Sequence, residues 1–250
     1  MLQVNNLNFS YDRMPVLKNV SLEARQGEIT CLLGANGSGK TTILKCMNRL
    51  LEPDKGKISI DGQPLEALTR KEIAKNLSRV PQEHRAVFSY SSRDVVAMGI
   101  TPYLTRGTQP DESVYQKADK ILERLNIGHL ADRSYNCISG GERQLVLIAR
   151  ALMQDTRYLL LDEPTSHLDF KNQHLLMGKM EQLAAEGKGI ITALHDPNLA
   201  LKYCDRFVII LEGRVLTQGP LEKTMTADNL ARAYDIPIQI DLNGRGVEIA

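Results

Sequence analysis

"GEITCLLGANGSGKTTILKCMNRLLEP", residues 27 to 53, is the stretch whose reading decides the fold of this chain. It runs from a short apolar strand, Ile29 to Leu33, through a glycine-rich turn into a helix that the sequence stops near Pro53. The turn, Gly34 to Thr41, matches G-x-x-x-x-G-K-[ST]. Average residue usage yields such a match by chance in roughly one chain in a hundred of this length. Gly34, Gly37 and Gly39 let the backbone curl so that its N–H groups face an anion. Gly34, Ala35, Asn36, Gly37, Ser38, Gly39, Lys40, Thr41 and Thr42 therefore form the expected cradle for a nucleoside triphosphate. Lys40 is expected to bridge its β- and γ-phosphates, and Thr41 to bind Mg²⁺.

Outward from this loop, strands and helices alternate. "KISIDGQPL" (57–65) reads as an alternating strand closed by Asp61-Gly62, residues 65 to 79 read as helical, and "SRVPQ" (78–82) as a short strand. "DESVYQKADKILERLNI" (111–127) sets Val114, Ala118, Ile121, Leu122 and Leu125 on one helical face, with Asp111 and Glu112 at its positive end. A helix over Glu142 to Leu152 follows. Strands resume with "YLLLDEP" (158–164) and "GIITALHD" (189–196), separated by a helix over 171 to 186. "RFVIILEGRVLTQG" (206–219) is a hairpin around Glu212-Gly213; a helix after Thr226 and a hairpin around Asn243-Gly244 finish the chain. The pattern predicts an α/β protein: a P-loop NTPase core with a mostly parallel sheet, an antiparallel β part and an inserted helical subdomain. Its expected division is residues 1–82 and 156–225 as core, 83–155 as helical subdomain and 226–250 as a short extension. Ligands belong at the carboxyl ends of the parallel strands.

Composition excludes several other classes. The 250 residues are 42% hydrophobic and 24% charged, with 31 basic against 30 acidic side chains and no Trp. Nothing there suggests a nucleic-acid partner. Cys31, Cys46, Cys137 and Cys204 form no C-x-x-C pair and read as reduced thiols. The N-terminus lacks the charged and apolar regions of a secretory leader. No apolar run approaches the roughly 18 residues needed to span a bilayer.

Four further features bear on chemistry. "ISGGE" (138–142) opens a helix with small residues, so Ser139, Gly140 and Gly141 offer backbone N–H groups to a second anion. Asp162 and Glu163 end an apolar strand. Beside a phosphate loop they divide into a Mg²⁺ ligand, Asp162, and a base for water, Glu163, because metal binding lowers a carboxylate's basicity. His195 ends another apolar stretch and is expected on the same sheet edge, as is Gln82. His84, His129, His167 and His174 show no metal-binding spacing, so the implied metal is the Mg²⁺ that arrives with nucleotide.

Gly34–Thr41, Gln82, "ISGGE", "LLLDEP" (159–164), "SHLD" (166–169) and His195 occur in the order and spacing of ABC transporter ATPase subunits, and the chain resembles that family from "FSYD" (9–12) to about residue 225. The resemblance implies two copies that sandwich two ATP molecules head to tail and drive transmembrane permease subunits from the cytoplasmic face of the membrane. An extracytoplasmic substrate-binding protein is implied indirectly. Tyr11 resembles the residue that stacks on adenine, although an aromatic packed on a small sheet explains it equally. Glu163 resembles the catalytic base, His195 the switch histidine on the γ-phosphate, and Gln82 the glutamine that senses Mg²⁺ and the membrane partner. Asp169 resembles the aspartate that reaches the second subunit. Ser139, Gly140, Gly141 and Glu142 resemble the signature that closes over the other subunit's ATP. Ile138 stands where Leu is commoner, and Leu145 where relatives often carry a basic residue.

"VPQEHRAVFSYSSRDVVAMGITPY" (80–103) and "SHLD" resemble more closely the importers of iron-siderophore, haem and cobalamin; molybdate-type importers remain an alternative. So do a soluble ABC-type ATPase acting in assembly and a nucleotide-binding scaffold without turnover. The groove beside residues 83 to 105, including Arg93, is the expected permease-docking surface. With few residues after 225, an appended sensor domain is not expected.

Overall fold

The computed structural model describes residues 1–82, 89–105, 108–166, 168–241 and 246–249. β1 (Leu2–Tyr11) and β2 (Met14–Ala24) form a hairpin, followed by β3 (Ile29–Leu33) and α1 (Lys40–Met47). β4 (Lys55–Ile60) and β5 (Gln63–Pro64) lead to α2 (Arg70–Asn76) and β6 (Leu77–Val80). Three helices come next: α3 (Ser92–Ala97), α4 (Glu112–Arg124) and α5 (Gly140–Met153). β7 (Tyr158–Asp162), α6 (Phe170–Ala185), β8 (Gly189–Ala193), α7 (Pro197–Tyr203), β9 (Arg206–Leu211) and β10 (Arg214–Gly219) continue the chain. α8 (Leu221–Thr224), α9 (Ala227–Tyr234), β11 (Ile238–Asp241) and β12 (Gly246–Ile249) close it.

Two sheets organise these elements. The larger has the order β10-β9-β3-β8-β7-β6, and every pair from β9 to β6 is parallel. The smaller, β2-β1-β4-β5, is antiparallel. β3, β7 and β8 are buried at every position, as expected of parallel strands covered on both faces. Their alternate residues feed different cores. Leu159, Leu161 and Ile190 pack with Val96, Leu122 and Leu147 of the helices, whereas Leu160 and Ile191 pack with Leu22, Ile43 and Leu44.

The α/β class, the parallel sheet and the antiparallel part agree with the sequence reading, but two boundaries differ. α1 ends at Met47, well before Pro53, in a Schellman arrangement: Leu50 N–H bonds Lys45 O at 2.9 Å and Arg49 N–H bonds Cys46 O at 2.9 Å. The left-handed residue is Arg49 (φ 51°) where glycine is usual. Its guanidinium offsets the strain by bonding the carbonyls of Leu65 and Leu68. The helix read over 65 to 79 is a 3₁₀ turn at Leu65–Ala67 and then α2, capped by a reciprocal Thr69–Glu72 box; the chain is already extended at Leu77. Asn243-Gly244 and His167 lie outside the described residues, although β11 and β12 pair antiparallel on either side of the former.

In the helical region Asp111 caps α4, and Ala118, Leu122 and Leu125 of its predicted face are buried. Arg93 ties α3 to its surroundings, with Nε on Asp119 at 2.6 Å and Nη1 on Asp132 at 3.0 Å. That guanidinium is therefore committed inside the helical region. Reversing its charge would set like charges together there, which makes Arg93 a poor probe of docking. Among the described residues no helix is long and apolar enough to cross a membrane.

Candidate nucleotide and catalytic site

Parallel pairing puts the functional residues at one sheet edge. In the register, Leu32 and Asp162 each pair with Ala193, and Val80 pairs with Leu161. The chain leaving these strands carries Gly34–Thr41, Glu163, His195 and Gln82 respectively.

The phosphate loop has positive φ at Gly34 (145°), Gly37 (77°) and Gly39 (109°). At Gly34 a Cβ would also fall 2.2 Å from the Ile210 carbonyl oxygen, so that glycine answers to packing as well as to conformation. Lys40 is 4% exposed, and its ammonium folds back onto the loop, donating to Gly34 O at 2.7 Å and Ala35 O at 3.0 Å. Burial lowers its pKa; the nearby Glu163, Cys31 and Asp162 charges oppose that shift. The Ser38 hydroxyl is buried without a hydrogen-bond partner.

Asp162, 1% exposed, accepts from Thr41 Oγ1 at 2.8 Å through Oδ1. Its Oδ2 accepts from Arg79 Nη2 at 2.7 Å, from a guanidinium only 12% exposed. Arg79 escaped the sequence reading. The signal was a charged residue in a strand otherwise buried; the register explains it, because Arg79 pairs with Leu160 and Asp162 lies two residues on, on the same face.

Glu163 has φ 52°, a left-handed conformation rare outside glycine, just past the strand end. Its turn is fixed by Glu163 N–H on Ala193 O at 3.2 Å and by Ser166, whose Oγ donates to Glu163 O at 3.0 Å. Oε2 accepts from Gln82 Nε2 at 2.5 Å, and Oε1 lies 2.5 Å from His195 Nε2. Glu163 is 8% exposed and so receives two donors in a largely dry setting.

A model of the family described as "ABC transporter" matches residues 17–166. The chain belongs to the ABC transporter family. A hemin import ATP-binding protein of Shewanella denitrificans is 38% identical, over 96% of this chain and 95% of that relative. A solved metal-chelate type ABC transporter in an inward-facing conformation superposes with a TM-score of 0.84 at 29% identity, over 99% of this chain and 94% of that one. A dimeric bacterial ABC transporter cassette superposes with a TM-score of 0.78 at 28% identity, over 88% of this chain and 99% of that one. The fold is that of an ABC ATPase cassette.

Within this cassette the second expected anion site stands apart from the first. Ser139 caps α5, with its Oγ accepting from Glu142 N–H at 3.3 Å and its own N–H donating to Glu142 Oε2 at 2.8 Å. The sequence reading left the N–H groups of Ser139, Gly140 and Gly141 free; the capping box takes up that of Ser139, together with that of Glu142. Hydrogen bonds from the Ser139 backbone and side chain hold the Glu142 carboxyl below its usual range. Ser139, Gly140 and Gly141 share a cleft with Asp169 and Leu145, and Asp169 caps α6 by accepting from Asn172 N–H at 2.8 Å. The cleft at Lys40, Thr41 and Glu163 has no residue in common with it.

Tyr11 ends β1, 39% exposed, with its ring edge-on to Phe9 at 4.7 Å. That contact accounts for its packing on the small sheet.

The donors suit a nucleotide with a hard cation. A hydroxyl and a carboxylate oxygen meet at Thr41 and Asp162, which is oxygen chemistry suited to Mg²⁺. Lys40 and the unpartnered Ser38 hydroxyl supply donors for phosphate. Among the described residues no cluster of His, Cys, Asp and Glu suits a separate metal.

Proposed function

We propose that this chain is the ATP-hydrolysing subunit of a membrane importer for a metal chelate of the haem, iron-siderophore or cobalamin class. It works as a homodimer bound peripherally to the cytoplasmic face of permease subunits, with an extracytoplasmic binding protein supplying the cargo. Glu163, held between Gln82 and His195 beside the Thr41–Asp162 pair, is the observation that carries the hydrolytic reading. The haem-import relative and the metal-chelate transporter support the cargo class. Residues 83–155 serve as the helical subdomain. Tyr90, Met98 and Tyr103, exposed on its described part, support a docking surface there.

Residues Gly34 to Thr42 take the phosphates, and Lys40 exchanges its two loop carbonyls for phosphate oxygens. Thr41, Asp162 and Gln82 would hold Mg²⁺, which would neutralise charge on the phosphates when bound. Glu163 accepts the proton of the attacking water, which requires it to give up one of its present donors. His195 would be that donor, freed to face the γ-phosphate, while Gln82 keeps its Nε2 on Glu163 and has its amide oxygen left for the metal. Tyr11 flanks the base.

The site is completed by the second copy. The cleft at Lys40 measures about 210 Å³, below the roughly 300–1,000 Å³ of sites that bury a small molecule. Ser139, Gly140, Gly141, Glu142 and Asp169 line a separate cleft and supply the missing wall to the partner. A heterodimer with Ser139→Ala in one chain and Lys40→Ala in the other keeps one composite site and is expected to retain about half the hydrolysis of the unmodified dimer. No turnover in that heterodimer counts against pairing across chains. For transport, phosphate release is measured with the chain co-purified alongside a polytopic membrane protein. Capture of a soluble assembly scaffold instead rejects import, and absent hydrolysis rejects the ATPase.

A further inference from the structure

The chain beyond β10 plays no part in the mechanism above, yet it reaches the loops that do. Tyr234, the last residue of α9, donates its hydroxyl to the His195 carbonyl oxygen at 3.4 Å. Burial pushes this phenol up to about 12, and a hydrogen bond from the Gly34 backbone opposes the shift. This hydroxyl thus ties α9 to the backbone of the switch histidine.

A second tie lies three residues past His195. The Asn198 side chain, on α7, pairs with the backbone of β12 as a neighbouring strand would. Its Oδ1 accepts from Val247 N–H at 2.7 Å, and its Nδ2 donates to Val247 O at 3.2 Å. Both ties sit over one apolar cluster. Leu33 and Leu194 pack in it with Leu230 and Ala233 of α9, and Ile238, Ile240 and Val247 pack against its margin. Leu33 precedes Gly34 and Leu194 precedes His195, so the C-terminal segment backs both catalytic loops at once.

We propose that α9 and the β11–β12 strand pair form a clamp that positions the His195 loop against the phosphate loop, with Tyr234 and Asn198 as its positioning residues. The proposal rests on the ATPase reading and adds how its histidine is held. The His195 side chain is 40% exposed, so little packing restrains its ring. Its aim at the bound phosphate then depends on a fixed backbone, and small misplacements of a reacting group are costly to rate.

The test uses the full chain with Tyr234→Phe, which keeps the ring and its packing, and Asn198→Ala. In steady-state hydrolysis kcat is expected to fall about three- to ten-fold in each, the scale of one lost hydrogen bond, while KM for ATP shifts less than about two-fold. Asn198→Asp, which keeps the acceptor for Val247 N–H, should recover part of the loss. In a His195→Ala background the Tyr234→Phe loss should vanish, because nothing remains to be positioned. A loss equally large without His195 overturns the clamp, as does an unchanged kcat in both variants or an effect on KM alone.

A readout without nucleotide is amide exchange at Leu194, whose N–H bonds Leu32 O at 3.2 Å. It should quicken in Asn198→Ala; unchanged exchange overturns the clamp. If Glu163→Gln hydrolyses ATP as the unmodified chain does, the ATPase reading fails by itself, and Leu194 exchange then decides the clamp alone.

Discussion

Glu163→Gln is expected to lower ATP hydrolysis by about 10²–10⁴-fold while leaving ATP binding intact, the usual consequence of removing a positioned general base. The substitution keeps the side chain's shape and one acceptor oxygen. It replaces the other oxygen with an amide that faces Gln82 or His195, both of which now present N–H donors to the carboxylate. The proposed phosphate cradle is built from the Gly34 to Thr42 backbone, Lys40 and Thr41; Lys40 and Thr41 make their hydrogen bonds elsewhere, and the Glu163 charge acts on Lys40 only at a distance. Binding and turnover should therefore separate. Phosphate release at saturating ATP reads the chemistry, and light scattering with ATP reads the dimer, which should accumulate closed because hydrolysis is the step that opens it. An unchanged hydrolysis rate would reject Glu163 as the base.

The residues of this candidate site were readable in the sequence because each stands at or just past the carboxyl end of a buried parallel strand. A five-residue apolar run fixes the strand, and the strand's carboxyl end fixes where the next polar side chain stands. Gly34–Thr41, Asp162, Glu163 and His195 all follow that rule, and Gln82 follows it after a shorter strand. What stayed illegible depends on which strands are neighbours or on contacts remote in the chain. Arg79 was an unremarkable basic residue until β6 paired with β7 in a register that set it diagonal to Asp162. Tyr234 and Asn198 meet the His195 loop through packing of a segment with no motif of its own. The early end of α1 was hidden because Arg49 takes the left-handed position where glycine would have announced it.

Arg79→Ala carries the largest expected effect on stability, about 3–5 kcal/mol, the cost of leaving one partner of a buried pair alone. Asp162 is 1% exposed, and without Arg79 the hydrogen-bond donor left on it is the Thr41 hydroxyl, because the nearby Lys40 ammonium is turned onto the loop carbonyls. The prediction does not require that the pair itself stabilise the fold over an apolar substitute; it concerns an uncompensated carboxylate. Urea unfolding of the nucleotide-free chain measures the loss. For a chain of this size the same figure corresponds to a fall in Tm of roughly 6–20 °C. The cycle with Asp162→Asn separates the pair from packing of the arginine stem: once the carboxylate is gone, Arg79→Ala should cost distinctly less. Mg²⁺ alone, added to Arg79→Ala, should restore part of the loss by supplying positive charge to the oxygens of Asp162. A change within about 0.5 kcal/mol, the range of ordinary surface substitutions, would mean that water or Thr41 already satisfies Asp162 and that Arg79 is dispensable there.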